Sequence, residues 1–377
     1  MAVFFYESEL SQPKILIRSA VAGDAAAVVE YFTKIVKQTQ NLTMTSDELY
    51  VFDDEEAFLE RMEVSHNSIV LLALYEHLIV GCITFIGGHS PAVCHQGELG
   101  ITVDKNWWGK GIGTTLMKAL LSWAKAAGIS KVNLQVRNDN YRAITVYKKF
   151  YFSLEAVQKG RMCVEGELID LLWFGLPLST LPIQATFSGV DLSKDTIREH
   201  SDSLEPCTIR PLYGNDAAAV LVFAEQLTQA HPELFTTTDI PGVGNSLTEQ
   251  QVLLSSHKDT PHWNYFGAIS RKGYIVALLT CESGTRIRTK HAASCSLSML
   301  PDWEFESLGV AMVTQLVTWA QSTSLQRLET RVLKQESTLI SAFLENGFEN
   351  EGTISRSMVF LNHYYDTLLL ARYFTSM

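Results

Sequence analysis

A chain of 377 residues is longer than one ordinary hydrophobic core, so two domains are expected. With 46% hydrophobic and 19% charged residues it groups with folded globular proteins and away from disordered ones. A net charge of −11 speaks against a phosphate backbone as partner, which clusters of lysine and arginine would have to hold, and makes a cationic amine the more natural guest.

At the N-terminus, Glu7 and Glu9 fall where the apolar region of a signal peptide would lie, so residence in the cytoplasm is expected. The longest apolar runs, Ile69 to Tyr75 and Tyr274 to Leu279, have the length of strands, whereas a bilayer span needs roughly 20 residues. No membrane partner is expected. The six cysteines, Cys82, Cys94, Cys163, Cys207, Cys281 and Cys295, form no C-x-x-C pair and have no histidine at zinc-finger spacing. Reduced, packed thiols and no metal follow.

Ile15 to Arg18 reads as a short strand, and Asp24 stands where it would cap a helix through Ala25, Val28, Val29, Phe32 and Val36. Ser68 to Tyr75 and Ile79 to Ile86 form a hairpin around Glu76, His77 and Leu78. Glu98 to Val103 is a further strand, followed directly by Trp107 to Gly113. Leu116, Leu120, Trp123, Ala124 and Ala127 then recur at helical spacing, and Gly128 stands where a left-handed cap belongs. A strand over Val132 to Val136, a helix over Tyr141 to Phe150 and a strand near Leu168 to Phe174 complete the order β-α-β-β-β-α-β-α-β.

The same unit occurs twice. Ile17-Arg18 with Gly23-Asp24-Ala25-Ala26-Ala27-Val28 is echoed by Ile209-Arg210 with Asn215-Asp216-Ala217-Ala218-Ala219-Val220. Further on, Trp123-Ala124, Val136, Ile144, Phe152 and Asp170 match Trp319-Ala320, Val332, Ile340, Phe348 and Asp366 at one constant offset. Ser179 to Pro206, rich in Ser, Thr, Asp and Pro, reads as a linker between a domain over 1–178 and a second over 207–377.

The glycines of Trp107-Trp108-Gly109-Lys110-Gly111-Ile112-Gly113, set between a strand and a helix, suit backbone N–H groups converging on an anion such as a pyrophosphate. Competing readings are a Walker loop, a dinucleotide fingerprint and a tight turn without ligand. The first lacks G-x-x-x-x-G-K-[ST], since Gly111 follows Lys110; in the second the third glycine comes one residue early. The plain turn stays open.

Trp108 to Gly113, with Val136, Arg137, Asn140, Ala143 and Tyr147 spaced as Val-Arg-x-x-Asn-x-x-Ala-x-x-x-Tyr, resembles the GCN5-related N-acetyltransferase (GNAT) superfamily. That family's loop is R/Q-x-x-G-x-G/A, and here Trp108 replaces the first residue. The resemblance covers 15–178 in element order and 207–374 more faintly. It implies an α/β fold class with two tandem GNAT-like domains, each a mixed, mostly antiparallel sheet flanked by helices, with a splayed parallel strand pair. It also implies transfer of an acetyl group from acetyl-CoA to a primary amine of a small molecule or peptide by direct attack.

By resemblance, Ile101, Val103, Trp108, Gly109, Lys110, Gly111, Ile112, Gly113, Asn140 and Tyr147 bind coenzyme A. Ile101 or Val103 offers a backbone N–H to the thioester oxygen, Tyr147 gives a proton to the sulfur, and Glu98 is the base, directly or through water. Tyr147 also reads as a half-buried core tyrosine, and Asn140 as a plain helix cap. Period-2 alternation sets Glu98 on the face opposite Ile101 and Val103. The acidic segment Asp47 to Glu63 reads as a solvated helix face or as the mouth of a site for a cationic amine.

In the second copy Glu304-Phe305-Glu306-Ser307-Leu308-Gly309 stands against Trp108 to Gly113, and Lys334, Glu336 and Phe343 replace Asn138, Asn140 and Tyr147. Carboxylates at a pyrophosphate site and a missing proton donor predict a catalytically inactive domain. A non-catalytic acyl-CoA sensor is the alternative for the whole chain, favoured by Trp108 and by Tyr151 before Phe152; intact Asn140 and Tyr147 favour the enzyme.

Overall fold

The computed structural model describes residues 4–7, 14–48, 52–178, 207–230, 240–256, 263–303, 306–360 and 362–374. The expected linker over 179–206, and Glu304 and Phe305, lie outside the described residues. Two compact units separate: Met1–Thr180 with Gly284–His291 and Glu351–Ser357, and Leu181–Ser283 with Ala292–Asn350 and Met358–Met377.

In the first unit the elements are β1 (Phe5–Glu7), β2 (Leu16–Ser19), α1 (Ala25–Gln38), α2 (Phe52–Val64), β3 (Ile69–Tyr75) and β4 (Leu78–Gly87), then β5 (Gln96–Val103), α3 (Ile112–Ala126), β6 (Lys131–Arg137), α4 (Tyr141–Lys149), β7 (Ser153–Val164) and β8 (Glu167–Pro177). The strands lie in the order β1-β2-β3-β4-β5-β6-β8-β7. Neighbours are antiparallel except β5 and β6, which are parallel.

β3 has almost no polar residue because both of its faces are covered. Ile69, Leu71 and Ala73 pack with Leu116, Met117 and Leu120 of α3, while Val70, Leu72 and Leu74 pack with Val28, Tyr31 and Ile35 of α1 and Leu59 of α2. The sheet thus separates two cores. The sequence reading left out β7 and offered the helix of α2 only as one of two readings of Asp47 to Glu63. In α2 the apolar stripe is only Phe58, Leu59 and Met62 among many carboxylates. In β7 the register against β8 shifts twice, around Glu155 and after Gln158, which breaks the alternation that announces a strand.

The chain then repeats the order with β9 (Thr208–Pro211), α5 (Ala217–Ala230), α6 (Leu247–Ser256), β10 (Asn264–Ile269), β11 (Ile275–Ser283), β12 (Ala292–Met299), α7 (Glu306–Gln321), β13 (Arg327–Leu333), α8 (Ser337–Glu345), β14 (Glu349–Phe360) and β15 (His363–Tyr373), all of the second unit except Glu351–Ser357 of β14 and so named for it below. The second unit too has two cores, one against α7 and α8 and one against α5 and α6. Its parallel pair is β12 with β13.

The echoed Ile-Arg…Asp signature has a physical role. Arg18 grips both carboxylate oxygens of Asp24 at 2.6 and 2.7 Å, and Asp24 also accepts the Val21 N–H. Arg210 holds Asp216 in the same way, and Asp216 accepts the Tyr213 N–H. Each pair ties a strand to the start of the first helix of its unit. Burial works to raise the pKa of Asp24, but Arg18 and the Val21 N–H outweigh it and hold the carboxyl below its ordinary value. A depressed carboxyl pKa contributes stability that is present above the unfolded value and lost as pH falls through the folded one. Asp24→Ala should therefore destabilise the protein by about 1–2 kcal/mol at neutral pH. A lower urea midpoint that converges on that of the native chain below about pH 4 is the expected measurement.

Candidate active site

The site begins where the parallel strands part. β5 and β6 are paired over only three residues on each, Gln96–Lys131, Gly97–Val132 and Glu98–Asn133. Beyond Glu98 the β6-facing edge of β5 has no strand partner, although its pairing with β4 runs on without a shift to Val103. Alternate N–H and C=O groups of an unpaired edge are free to bind a ligand. A cavity of about 450 Å³ occupies the gap, with Leu99, Gly100, Ile101, Thr102 and Val103 along one wall and Gln135 and Val136 along the other. A Cβ built on Gly100 would meet nothing within 4 Å, so the opening is real space beside the strand.

The cavity reaches both faces of the sheet. On one face its wall is Ile112, Gly113 and Thr114 of α3 with Ala143, Val146 and Tyr147 of α4; on the other it is Ile35 of α1 with Thr39, Asn41 and Leu42 just after it. Strict alternation along β5, with no bulge, turns Leu99, Ile101 and Val103 toward the α3 core and Glu98, Gly100 and Thr102 toward α1. Thr102 Oγ1 lies 3.0 Å from the Tyr31 hydroxyl on that side.

The glycine loop closes one end. Gly109 and Gly111 have φ of 78° and 81°, left-handed values that a side chain strains, and α3 starts directly after Gly111. Gly109, Gly111, Ile112 and Gly113 line the cavity, so the free N–H groups of the first turn of α3 open beside it. Trp108, at the departure from the family pattern, donates its indole N–H to the Val103 carbonyl at 2.8 Å, and the guanidinium of Arg142 stands 4.6 Å from its ring. Trp108 and Arg142 both line the cavity. Lys110 does not; its ammonium lies over the Trp107 ring at 4.2 Å. Sequence reasoning missed Asp104, the buried carboxylate that anchors this loop. It accepts the Asn106 N–H at 3.0 Å, the Gln38 amide at 3.1 Å and the Lys34 ammonium. Burial would raise its pKa, yet Lys34, the Asn106 N–H and Gln38 together hold it low.

Tyr147 lines the cavity and is otherwise buried, its ring beside that of Phe152. Burial pushes its pKa up to about 12, so the phenol stays protonated at neutral pH. Asn140 caps α4, its Oδ1 accepting the Ala143 N–H at 3.3 Å, and the residue also lines the cavity. Glu98 is placed differently from a base in direct contact. It is set behind the wall, where both its oxygens accept from Gln135 Nε2 at 3.1 and 3.2 Å, and Gln135 is the residue that lines the cavity. No described acidic residue of the segment Asp47 to Glu63 belongs to the wall. Glu48 accepts from Thr45, Glu63 from the Ala22 N–H, and Glu55 is buried, which raises its pKa. Among the described residues no group of three or more His, Cys, Asp or Glu is placed to hold a metal ion, and no helix is long and apolar enough to cross a membrane.

The second unit has the same parting with different contents. β12 and β13 pair over Ala292–Arg327, Ala293–Leu328 and Ser294–Glu329, each residue 196 positions after its counterpart in the first unit. At the positions of Ile101, Val103, Val146 and Tyr147 stand Leu297, Met299, Ala342 and Phe343, all buried. A Cβ on Gly309, the counterpart of Gly113, would sit 3.1 Å from Ala342 of α8, whereas one on Gly113 meets no atom of α4 within 4 Å; the approach to the strand is the same in both, 3.7 Å to Met299 and 3.7 Å to Val103.

An aspartate at position 111 would combine a strained backbone with a negative charge at the helix N-terminus. Gly111→Asp should weaken acetyl-CoA binding by at least about 100-fold in isothermal titration, with the far-ultraviolet circular dichroism unchanged.

Residues 36–152 match the model of the Acetyltransferase (GNAT) family. The L-amino acid N-acetyltransferase AaaT of Escherichia coli K12 is 26% identical over 163 residues, which are 42% of this chain and 94% of that protein. A GNAT-family acetyltransferase structure from Streptococcus pneumoniae has 30% identity and a TM-score of 0.43, over 44% of this chain and 99% of that one. The structure of yncA from Salmonella typhimurium, solved with its cofactor acetyl-CoA, has 21% identity and a TM-score of 0.41, over 44% of this chain and 95% of the other. The stretch that carries the glycine loop, the parted strands and Tyr147 is an acetyltransferase domain of the GNAT family, and the chain is accordingly an acyltransferase.

Proposed function

We propose that the protein transfers an acetyl group from acetyl-CoA directly to a primary amine of a small molecule or peptide, in the cytoplasm, and that the first unit does this alone. The observation that carries the reading is a cavity that passes between β5 and β6 and has walls on both sheet faces. A cofactor arm from the α3 and α4 side and an amine from the α1 side can meet in it without competing for one surface, as direct transfer requires. The residues fit the cofactor: an unpaired strand edge, a loop with two left-handed glycines, and a free helix N-terminus.

When bound, acetyl-CoA supplies an acetyl group activated as a thioester. The amides of the glycine loop and of the first turn of α3 hold the diphosphate. A backbone N–H near Ile101 or Val103 donates to the acetyl oxygen, a contribution of about 3–4 kcal/mol in comparable sites. Glu98, through water, removes a proton from the amine as the carbon–nitrogen bond forms. Tyr147 gives its proton to the sulfur as the carbon–sulfur bond breaks, and solvent restores it. The printed name of the Escherichia coli relative puts amino acids first among the amines to be tried.

The chain is read as a tandem duplication in which 207–377 has lost catalysis. Buried Phe343 at the position of Tyr147, and buried Leu297 and Met299 at those of Ile101 and Val103, support this. Isothermal titration should accordingly give one acetyl-CoA per chain; two sites would refute the assignment of the second unit. Release of free thiol with a panel of amines tests the activity. In that assay Tyr147→Phe should lower kcat by about 10²- to 10³-fold with little change in acetyl-CoA affinity. With a pKa of about 12, Tyr147 should produce no fall in kcat below about pH 11. Glu98→Gln should remove the limb over which activity rises with pH, and a profile identical to the native one would take Glu98 out of proton transfer.

A further inference from the structure

We infer that Gln135 is the residue that receives the acceptor amine, and that Glu98 is its positioning residue; the inference rests on the acetyltransferase reading above. Gln135 lies on β6, where Val132, Leu134 and Val136 belong to the core against α3. Alternation therefore turns Asn133, Gln135 and Arg137 to the opposite, α1 face of the sheet. Arg137 confirms the direction, since its guanidinium donates to the Gln40 carbonyl just after α1 at 2.9 Å. Gln135 is thus a polar side chain on the amine's side of the gap, in the cavity wall, next to Leu99 and Gly100 of the facing strand.

The orientation of its amide is dictated by chemistry. An ionised carboxylate only accepts hydrogen bonds, so both contacts with Glu98 must be made by Nε2. The carbonyl oxygen Oε1 is left as the end that serves the cavity. An acceptor oxygen at that place suits a guest with N–H donors and rejects one that offers only oxygen lone pairs. The amide dipole, with its positive end on the carboxylate, strengthens the negative end toward the guest, so the charge of Glu98 is felt without the carboxylate entering the wall. A neighbouring pair on the same strands, Asn133 Nδ2 donating to Gln96 Oε1 at 2.8 Å, fixes the adjacent register and leaves Gln135 little freedom.

Two substitutions separate this role from proton transfer. Gln135→Leu retains bulk and loses both polar ends. It should lower kcat/KM for the amine by about 100-fold, mainly through a higher amine KM, while acetyl-CoA affinity by isothermal titration stays within about twofold of native. Glu98→Gln still offers an oxygen to Nε2, so it should lower kcat and leave the amine KM nearly native, whereas Glu98→Ala should raise the amine KM as well. If Gln135→Leu does not fold, Gln135→Asn, one methylene shorter, gives the same readout. An amine kcat/KM within about threefold of native in the position-135 variant overturns the inference and leaves the acetyltransferase reading intact. A native protein that binds acetyl-CoA and acetylates no amine in the panel overturns both.

Discussion

The candidate site depends on the failure of β5 and β6 to stay paired beyond Glu98. Three residue pairs hold the strands together, and from Leu99 onward the edge of β5 is open. An open edge in the middle of a sheet is costly, because its amide and carbonyl groups need partners and apolar neighbours tend to fill the space. The first unit sustains it by keeping the flanks in place independently. β5 remains fully registered on β4 as far as Val103, and Thr102 is engaged by the Tyr31 hydroxyl from α1. β6 is held along its whole length by β8. The gap is therefore a property of two well-supported strands and not of a loosened one, and its width does not rely on a ligand.

The same logic extends to the glycine loop. A loop that must present main-chain N–H groups has no side chains of its own to fix it, so the fixing falls to residues at its margin. Asp104 does most of it. One buried carboxylate gathers a lysine, a glutamine and an amide N–H, two of them from α1, and so couples the helix on one sheet face to the loop that opens toward the other. Burying that charge is favourable only because every contact is with a donor. Trp108 takes a different course from the arginine or glutamine of the family pattern. Its indole N–H closes onto Val103, and its ring carries the guanidinium of Arg142, so a cation still stands at the loop although position 108 does not supply it.

The alternation of apolar residues and the capping signals were enough to read the hairpin of β3 and β4, the strand, loop and helix around Trp107 to Gly113, and the helix that bears Tyr147. These are local signals, written within a few residues of where they act. α2 was read only as one of two alternatives and β7 not at all, for local reasons as well: acidic residues dilute the apolar stripe of the one, and two register shifts scramble the period of the other. The site was legible in its motif residues, since Ile101, Val103, Trp108, Gly109, Gly111, Ile112, Gly113, Asn140 and Tyr147 all reach the cavity. Asp104 and Gln135 were not, because their importance arises from residues 66 to 70 and 37 positions away. Lys110, named with the main-chain amides of the loop, carries its ammonium over the Trp107 ring and is absent from the cavity wall.

The second unit has the same strand pairing with a different filling. The parallel pairing starts and stops at the same three positions, so the backbone cause of the gap persists. What changed is the filling. Where the first unit has Ile101, Val103 and Tyr147, the second has Leu297, Met299 and Phe343; the first exchange conserves volume, the second adds reach, and the third deletes a hydroxyl that a dry core would leave unsatisfied. Phe343 packs against Phe348 at 5.0 Å, in the way that Tyr147 stands beside Phe152 at 6.0 Å, so the aromatic pair is retained and tightened. Filling an open site with apolar atoms stabilises a fold by the ordinary measure of buried surface. By that measure the first unit is the anomalous one, since it forgoes such packing along an entire strand edge. The gap of the first unit is flanked by an anchored glycine loop, a protonated tyrosine and a glutamine that donates to Glu98, which is where an unfilled cavity has a chemical use.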